Sequence, residues 1–84
     1  MLKLKPNCEC CDTDLPPEST QAVICTFECT FCKSCAEDRF DSICPNCGGE
    51  LLRRPIRPAD KLVLNPPSDQ RFVKAHPECA GLLS

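Results

Sequence analysis

The chain has 84 residues, ten of them cysteine, and a formal net charge of −2. It contains nineteen Leu, Ile, Val and Phe residues and neither Trp nor Tyr, which is too little apolar volume to hold a domain of this length by burial alone. No stretch approaches the roughly 20 apolar residues of a membrane-spanning helix. We therefore expect coordinate or covalent cross-links between the cysteines.

The first six residues carry charge without the apolar stretch of a secretory signal, so we expect a cytoplasmic protein with no membrane contact. In the reducing cytosol, cysteines at this density are more often metal ligands than disulfides. The sequence therefore predicts a metal-stabilised domain.

Charge and proline divide the chain in two. Residues 8–50 carry a net charge of −7, whereas residues 51–84 carry +3 and five of the nine prolines. We predict a zinc-binding module over residues 1–54 and a basic, Pro-rich strap over residues 55–84, packed on the module. Prolines this frequent exclude a long helix or a central strand in the strap, and its segment 61–64 is predicted to be a short strand or a docking segment.

Within the module the pattern predicts a small α+β arrangement. Residues 12–17 have the Asp and Pro content of a turn. Residues 22–27 are rich in β-branched and aromatic side chains, which favours a strand. Ser34 is a candidate N-cap for a short helix over residues 35–40.

Four groups of closely spaced cysteines follow one another along the module. Two cysteines separated by two residues can turn the backbone so that both sulfurs face one ion at about 2.3 Å, and a glycine after the second suits the positive φ of that turn. Several such groups within one short domain predict two zinc ions, each in four thiolates. The eight predicted ligands are Cys8, Cys11, Cys25, Cys29, Cys32, Cys35, Cys44 and Cys47.

The spacing leaves the pairing of these groups open. In a sequential scheme the first group joins the second, and the third joins the fourth. In an interleaved scheme the first joins the third, and the second joins the fourth. Interleaving links distant segments twice and stabilises a chain with little core more effectively.

The run from Cys25 to Cys47, with Thr-Phe-Cys-x-x-Cys in its middle and Cys-Pro-Asn-Cys at its end, resembles a RING finger. This resemblance implies a treble-clef-related cross-brace fold and the interleaved scheme. One site would then hold Cys8, Cys11, Cys32 and Cys35, and the other Cys25, Cys29, Cys44 and Cys47. Cys29 stands where the family usually has His, and three residues separate it from Cys25 where the family usually has one.

The resemblance also raises the possibility of a ubiquitin-ligase-like adaptor. RING fingers of that kind dock a conjugating enzyme in an apolar groove, and the pattern needs four residues there. Phe40 and Pro45 fit the pattern, whereas Glu9 replaces an apolar residue and Gly48 replaces a basic one. Two fitting positions of four make this the weaker interpretation.

The whole chain is also similar to a family of small bacterial cysteine-rich proteins with no assigned activity. The shared stretches are Asn-Cys-Glu-Cys-Cys from residue 7, Asp-Leu-Pro-Pro from residue 14 and Cys-Pro-Asn-Cys-Gly-Gly-Glu-Leu from residue 44. Outside the eight ligands, Cys10 is predicted to be a spare thiol rather than an alternative ligand or redox sensor. His76 and Cys79 form half a metal site without a second half.

Four thiolates fill the coordination sphere of zinc and leave no position for water, so we do not expect an enzyme. The leading hypothesis is a structural and protein-interaction module, monomeric or weakly dimeric, with the strap or an apolar face around Phe27, Phe31 and Phe40 as contact surface. The alternative is a zinc-ribbon-like nucleic-acid-binding protein, disfavoured by the acidic module. It would use Arg53, Arg54, Arg57 and Lys61.

Overall fold

A computed structural model describes residues 2–71 and 73 of the chain. Three short strands are described: β1 (Ala22–Ile24), β2 (Thr30–Cys32) and β3 (Leu52–Arg53). They form one antiparallel sheet in the order β2-β1-β3. The described helices are α1 (Lys33–Asp38) and α2 (Ala59–Leu64). This is a small α+β fold, as the sequence predicts.

The strand pair β1–β2 places the second and third cysteine groups at its opposite ends. β1 and β2 pair in register, with Val23 opposite Phe31. The second cysteine group lies in the turn between these strands, and the third begins at the end of β2 and continues into α1. Because β2 leads directly into α1, the start of that helix is fixed relative to the sheet.

β1 ends earlier than the sequence predicts. The strand was expected over residues 22–27, but the chain leaves the sheet after Ile24. The backbone N–H of Phe27 donates to the sulfur of Cys25, and that of Glu28 donates to the carbonyl of Cys25. Glu28 takes a positive φ of 66°. The turn that aims Cys25 inward therefore overrides the strand propensity of the last three residues.

The predicted start of α1 was wrong by two residues. The helix begins at Lys33, and its N-cap is Cys32, whose sulfur accepts a hydrogen bond from the backbone N–H of Cys35. Ser34 lies inside the first turn. The cap is thus supplied by a candidate metal ligand rather than by the hydroxyl residue that helix statistics favour.

The core is small, and about half of its buried residues are cysteines. Phe31 and Phe40 meet edge to face with ring centroids 5.0 Å apart. Val23, Ala36 and Leu51 pack around them in the same buried cluster. Both aromatic rings are therefore structural, and the apolar surface predicted around three phenylalanines reduces to Phe27, which is 75% exposed.

Arg54 is the largest fully buried side chain, at 1% exposure. Its guanidinium donates to the backbone carbonyls of Lys5, Leu15 and Pro16 over 2.8–3.2 Å. Desolvation lowers its pKa. Arg54 therefore ties the N-terminal segment and the proline turn to the strand that precedes it.

The strap returns to the N-terminal segment. The Arg57 guanidinium donates to the carbonyls of Leu2 and Asn65, and the backbone N–H of Ser68 donates to the carbonyl of Leu4. Arg71 forms ion pairs with Asp12 and Asp14. These contacts join the basic strap to the acidic module.

The predicted short strand at residues 61–64 is wrong, because this segment is helical and belongs to α2. Its alternative role as a docking segment stays a prediction. Pro58 precedes the helix and its carbonyl accepts from the N–H groups of Lys61 and Leu62. Proline fits the start of a helix, where its missing N–H is not needed. Neither helix, within the described part of the chain, is long and apolar enough to span a bilayer.

Candidate metal centre

Four cysteine sulfurs meet where the N-terminal loop touches the start of α1. We call this group the first cluster, and its sulfur atoms all lie within 4.8 Å of one another. Those of Cys11 and Cys32 are 3.7 Å apart, close to the ~3.8 Å that a tetrahedron with 2.3 Å zinc–sulfur bonds requires. Its members are Cys8, Cys11, Cys32 and Cys35.

A second cluster lies at the other end of β1. The sulfurs of Cys25, Cys44 and Cys47 also lie within 4.8 Å of one another. Cys29, in the same turn as Cys25, accepts a hydrogen bond at its sulfur from the side-chain amide of Asn46, between Cys44 and Cys47, but it does not meet that mutual distance. The described residues thus bring together seven of the eight predicted ligands in two groups that can hold metal ions, with the eighth beside them.

The two clusters interleave along the chain. The first cysteine group joins the third, and the second joins the fourth. The sequence alone left this open, and the interleaved scheme implied by the RING resemblance agrees with the grouping found. Because each cluster joins segments about twenty residues apart, a metal ion in each would cross-link most of the module.

Isolated bridges and tight turns shape both clusters. Asn7 pairs with Asp14 around the first loop, and Ile43 pairs with Glu50 around the last. In the last loop the backbone N–H of Cys44 donates to the carbonyl of Gly49, and that of Gly48 donates back to the carbonyl of Cys44. Gly48 has the predicted positive φ, at 77°, which a side chain would strain.

Hydrogen-bond donors point at the sulfurs of both clusters. In the first, the backbone N–H groups of Cys10 and Cys11 approach the Cys8 sulfur at 3.4–3.5 Å, and the Thr13 hydroxyl lies 2.9 Å from the Cys11 sulfur. In the second, Asn46 donates its backbone N–H to Cys44 and its side-chain amide to Cys29, both at 3.4 Å. Such donors stabilise thiolate ligands.

The thiols of each cluster divide into those that ionise easily and those that resist ionisation. Burial opposes ionisation of Cys11, but hydrogen bonds from Thr13 outweigh it and the pKa falls to about 7. Burial raises the pKa of Cys8 to about 11 and that of Cys44 to about 12. For Cys35, burial and the neighbouring thiols both raise the pKa. Four thiolates so close together therefore need a cation between them.

Cys10, which is predicted to be a spare thiol, is fully buried, and its sulfur belongs to neither of the two clusters. His76 and Cys79 lie outside the described residues.

Glu9, between two predicted ligands, is buried at 2% exposure. Its carboxylate accepts from the backbone N–H of Thr30 at 2.6 Å and from the Lys5 ammonium at 3.0 Å. Its own N–H donates to the carbonyl of Thr30. Glu9 thus joins the first loop to β2, a role that no local sequence pattern indicates.

A cavity of about 390 Å³ opens beside the first cluster. Its wall combines cysteines of that cluster with charged side chains of both signs. These include Cys11, Cys35, Asp14, Lys33, Asp38 and Arg39. One charged group of this wall, the Asp14 carboxylate, already forms an ion pair with Arg71 of the same chain.

Comparison with known proteins gives a family but no described activity. Residues 1–57 match the model of the protein family of unknown function DUF1272. The chain is 64% identical over 74 residues to an uncharacterized protein of Rhizobium meliloti (strain 1021), which covers 88% of both chains. No solved structure matches. On the extent of these two matches, the chain belongs to the DUF1272 family.

Proposed function

We propose that this protein is a small zinc-binding module in which two zinc ions, each held by four thiolates, maintain a surface for protein interaction. The observation that carries the proposal is the convergence of two interleaved cysteine clusters in a domain with little apolar core. The first ion is held by the first cluster. The second is held by the second cluster with Cys29 as its fourth ligand.

The donor set favours zinc. Tetrahedral sites of four cysteine sulfurs take zinc or iron, and closed zinc sites of this kind stabilise folds. A divalent ion also offsets the cost of ionising buried thiols such as Cys8, whose pKa is raised mainly by burial and to a smaller extent by the neighbouring Cys32. Iron is the competing ion, and the absorption spectrum separates the two because zinc thiolate centres are colourless.

Cys29 completes the second site with a small movement. Its sulfur already accepts a hydrogen bond from the Asn46 side chain, and its carbonyl accepts from the N–H of Cys25. These contacts hold it against both halves of the cluster. With four thiolates bound, neither ion has a position for water or substrate, and we propose a non-enzymatic role.

Protein interaction is supported by exposed apolar side chains at the end of α2. Val63 and Leu64, at the end of α2, are 80% and 79% exposed. The C-terminal end of α2 is held by the hydrogen bond from Arg57 to Asn65. Clusters of fixed apolar side chains are typical of protein contact sites.

Nucleic-acid binding is the second candidate, and the contacts of the basic residues weaken it. Arg54 is buried, and Arg57 and Arg71 donate to groups of their own chain. Arg53 and Lys61 remain exposed, which is a small cationic surface for phosphate contacts. The module beside it carries a net charge of −7 over residues 8–50.

A RING-type ligase adaptor is the least supported function. The position that such adaptors use for an apolar contact is Glu9, which is buried and paired with Lys5. Phe40 is also buried, against Phe31. These two groove positions are therefore occupied by contacts within the chain.

Metal analysis of protein purified without added metal tests the proposal. We expect two equivalents of zinc, little iron, and precipitation or loss of far-UV ellipticity after chelation. A stable, metal-free fold would contradict it. The interaction surface is tested separately with Val63→Asp and Leu64→Asp, which should abolish capture of a partner while leaving both zinc ions bound. Lys61→Gln, on the same helix, changes the net charge by the same one unit and is the matched control for the added charge.

A further inference from the structure

The two clusters differ in how they face solvent. In the first, Cys8, Cys32 and Cys35 are at most 8% exposed and Cys11 is half-buried. In the second, Cys47 is exposed and Cys29 is half-buried. A competing donor atom can therefore approach two sulfurs on the open side of the second cluster.

The second cluster is also less completely assembled. Its three sulfurs that lie within 4.8 Å of one another do not include Cys29, whereas all four sulfurs of the first cluster meet that distance. A ligand that must move toward the ion to bind it is also the ligand that can leave most easily. Cys29 is thus the weak point of the coordination.

The sulfurs of the first cluster are harder for a chelator to reach than those of the second. The cavity beside it exposes one side to water, but Cys32 and Cys35 remain 8% and 4% exposed. Cys8 lies behind them at 0%. A chelator entering this cavity meets Cys11 first and still has three buried ligands to displace.

We propose that the second cluster is an exchangeable zinc centre, and that the first is the permanent one. This rests on the proposed function, since both clusters must bind zinc. Exchange proceeds by ligand substitution without a redox step. The Cys29 and Cys47 sulfurs leave the ion in turn, and thiolate or aminocarboxylate donors of an incoming chelator take their places. Cys25 and Cys44, buried at 5% and 2%, are displaced last.

The exchange can be followed cluster by cluster. The intact protein, purified with its zinc, is incubated with excess EDTA, and portions are alkylated with N-ethylmaleimide for peptide mapping and native mass spectrometry. We expect a one-zinc species to accumulate, in which alkylation of the eight predicted ligands is confined to the cysteines of residues 25–29 and 44–47. Loss of both ions in a single step, or alkylation of the first cluster at the one-zinc stage, would overturn the inference.

A matched pair of substitutions adds a second test that leaves all ligands in place. Asn46→Ala removes the side-chain amide that donates to the Cys29 sulfur, and Thr13→Ala removes the hydroxyl that lies 2.9 Å from the Cys11 sulfur. We expect Asn46→Ala to accelerate the early loss of zinc by about 2- to 10-fold, the equivalent of one hydrogen bond, without affecting the late loss. Thr13→Ala should accelerate the late loss of zinc and leave the early loss unchanged. If Asn46→Ala left the early phase unchanged, Cys29 would not be the weak point.

The same experiment separates the two proposals. Protein isolated without zinc would refute the proposed function and remove the basis of this inference. Protein isolated with two zinc ions that leave together would refute the inference alone. A one-zinc intermediate with an intact first cluster would support both.

Discussion

The buried guanidinium of Arg54 offers a sharp test of what holds the fold together apart from metal. Arg54→Met keeps the length of the side chain but removes three donors, leaving the carbonyls of Lys5, Leu15 and Pro16 without their partner. Arg53→Met is the matched control, since the neighbouring Arg53 is exposed.

The expected loss follows from these contacts. Hydrogen bonds to a charged donor contribute about 1.5–3 kcal/mol each, so three of them set an upper range of about 5–9 kcal/mol. Two terms offset this. The charge no longer has to be buried without a carboxylate, and the Met side chain gains apolar burial. We expect a net loss of about 2–4 kcal/mol for Arg54→Met, and less than about 0.5 kcal/mol for Arg53→Met.

Urea denaturation measured by far-UV circular dichroism is the suitable assay, because the chain has no Trp or Tyr to report unfolding. Free zinc must be buffered at one value for all variants, since bound metal adds to the apparent stability. If Arg54→Met and Arg53→Met had equal unfolding free energies, the guanidinium would not be the link between the N-terminal segment and β3 that we describe.

Three further outcomes are expected. Phe31→Ala should lower the free energy of unfolding by about 3–5 kcal/mol, whereas Phe27→Ala, at an exposed position, should change it by less than about 0.5 kcal/mol; equal effects in the same urea assay would place the core elsewhere. Glu9→Gln should cost about 1–3 kcal/mol, because the Lys5 ammonium loses its carboxylate and the bond to Thr30 weakens, and a wild-type unfolding curve would refute this. Zinc should be released as the pH falls, because protons compete with the ion for the thiolates. The pKa of Cys11, for example, lies at about 7 even without metal. Zinc retention that is independent of pH would exclude thiolate ligation.

The cysteine spacings carried most of the information about the site. All eight predicted ligands lie in or beside the two clusters, because a CxxC turn is a local structure that two or three residues determine. Their pairing is a long-range property, and spacing left both schemes open. The resemblance to RING fingers implied the scheme that agrees with the clusters.

Contacts between distant segments were not accessible from the sequence. The sequence predicts Arg54 as one of the basic residues available to nucleic acid, although it lies in the core, because one arginine in a basic run carries no sign of burial. Glu9 fits the sequence pattern only as an unsuitable groove residue, whereas in the structure it bonds to β2. Its partner Thr30 is twenty-one residues away along the chain, and no local pattern connects the two.

Local errors had local causes. Helix statistics favour a hydroxyl residue as the cap of α1, but the Cys32 sulfur occupies the capping position. Strand propensity extends β1 through residues that form a turn at the second cluster. In the strap, the prolines favour extended structure, but Pro58 precedes α2 and permits six helical residues after it.

The most direct test of the central claim is native mass spectrometry of the protein purified without added metal, combined with alkylation before and after chelation. We expect a species with two zinc ions, in which the eight predicted ligand cysteines react with N-ethylmaleimide only after EDTA is added. A folded, metal-free protein in which those cysteines are already alkylated, or are linked by disulfides, would contradict the account.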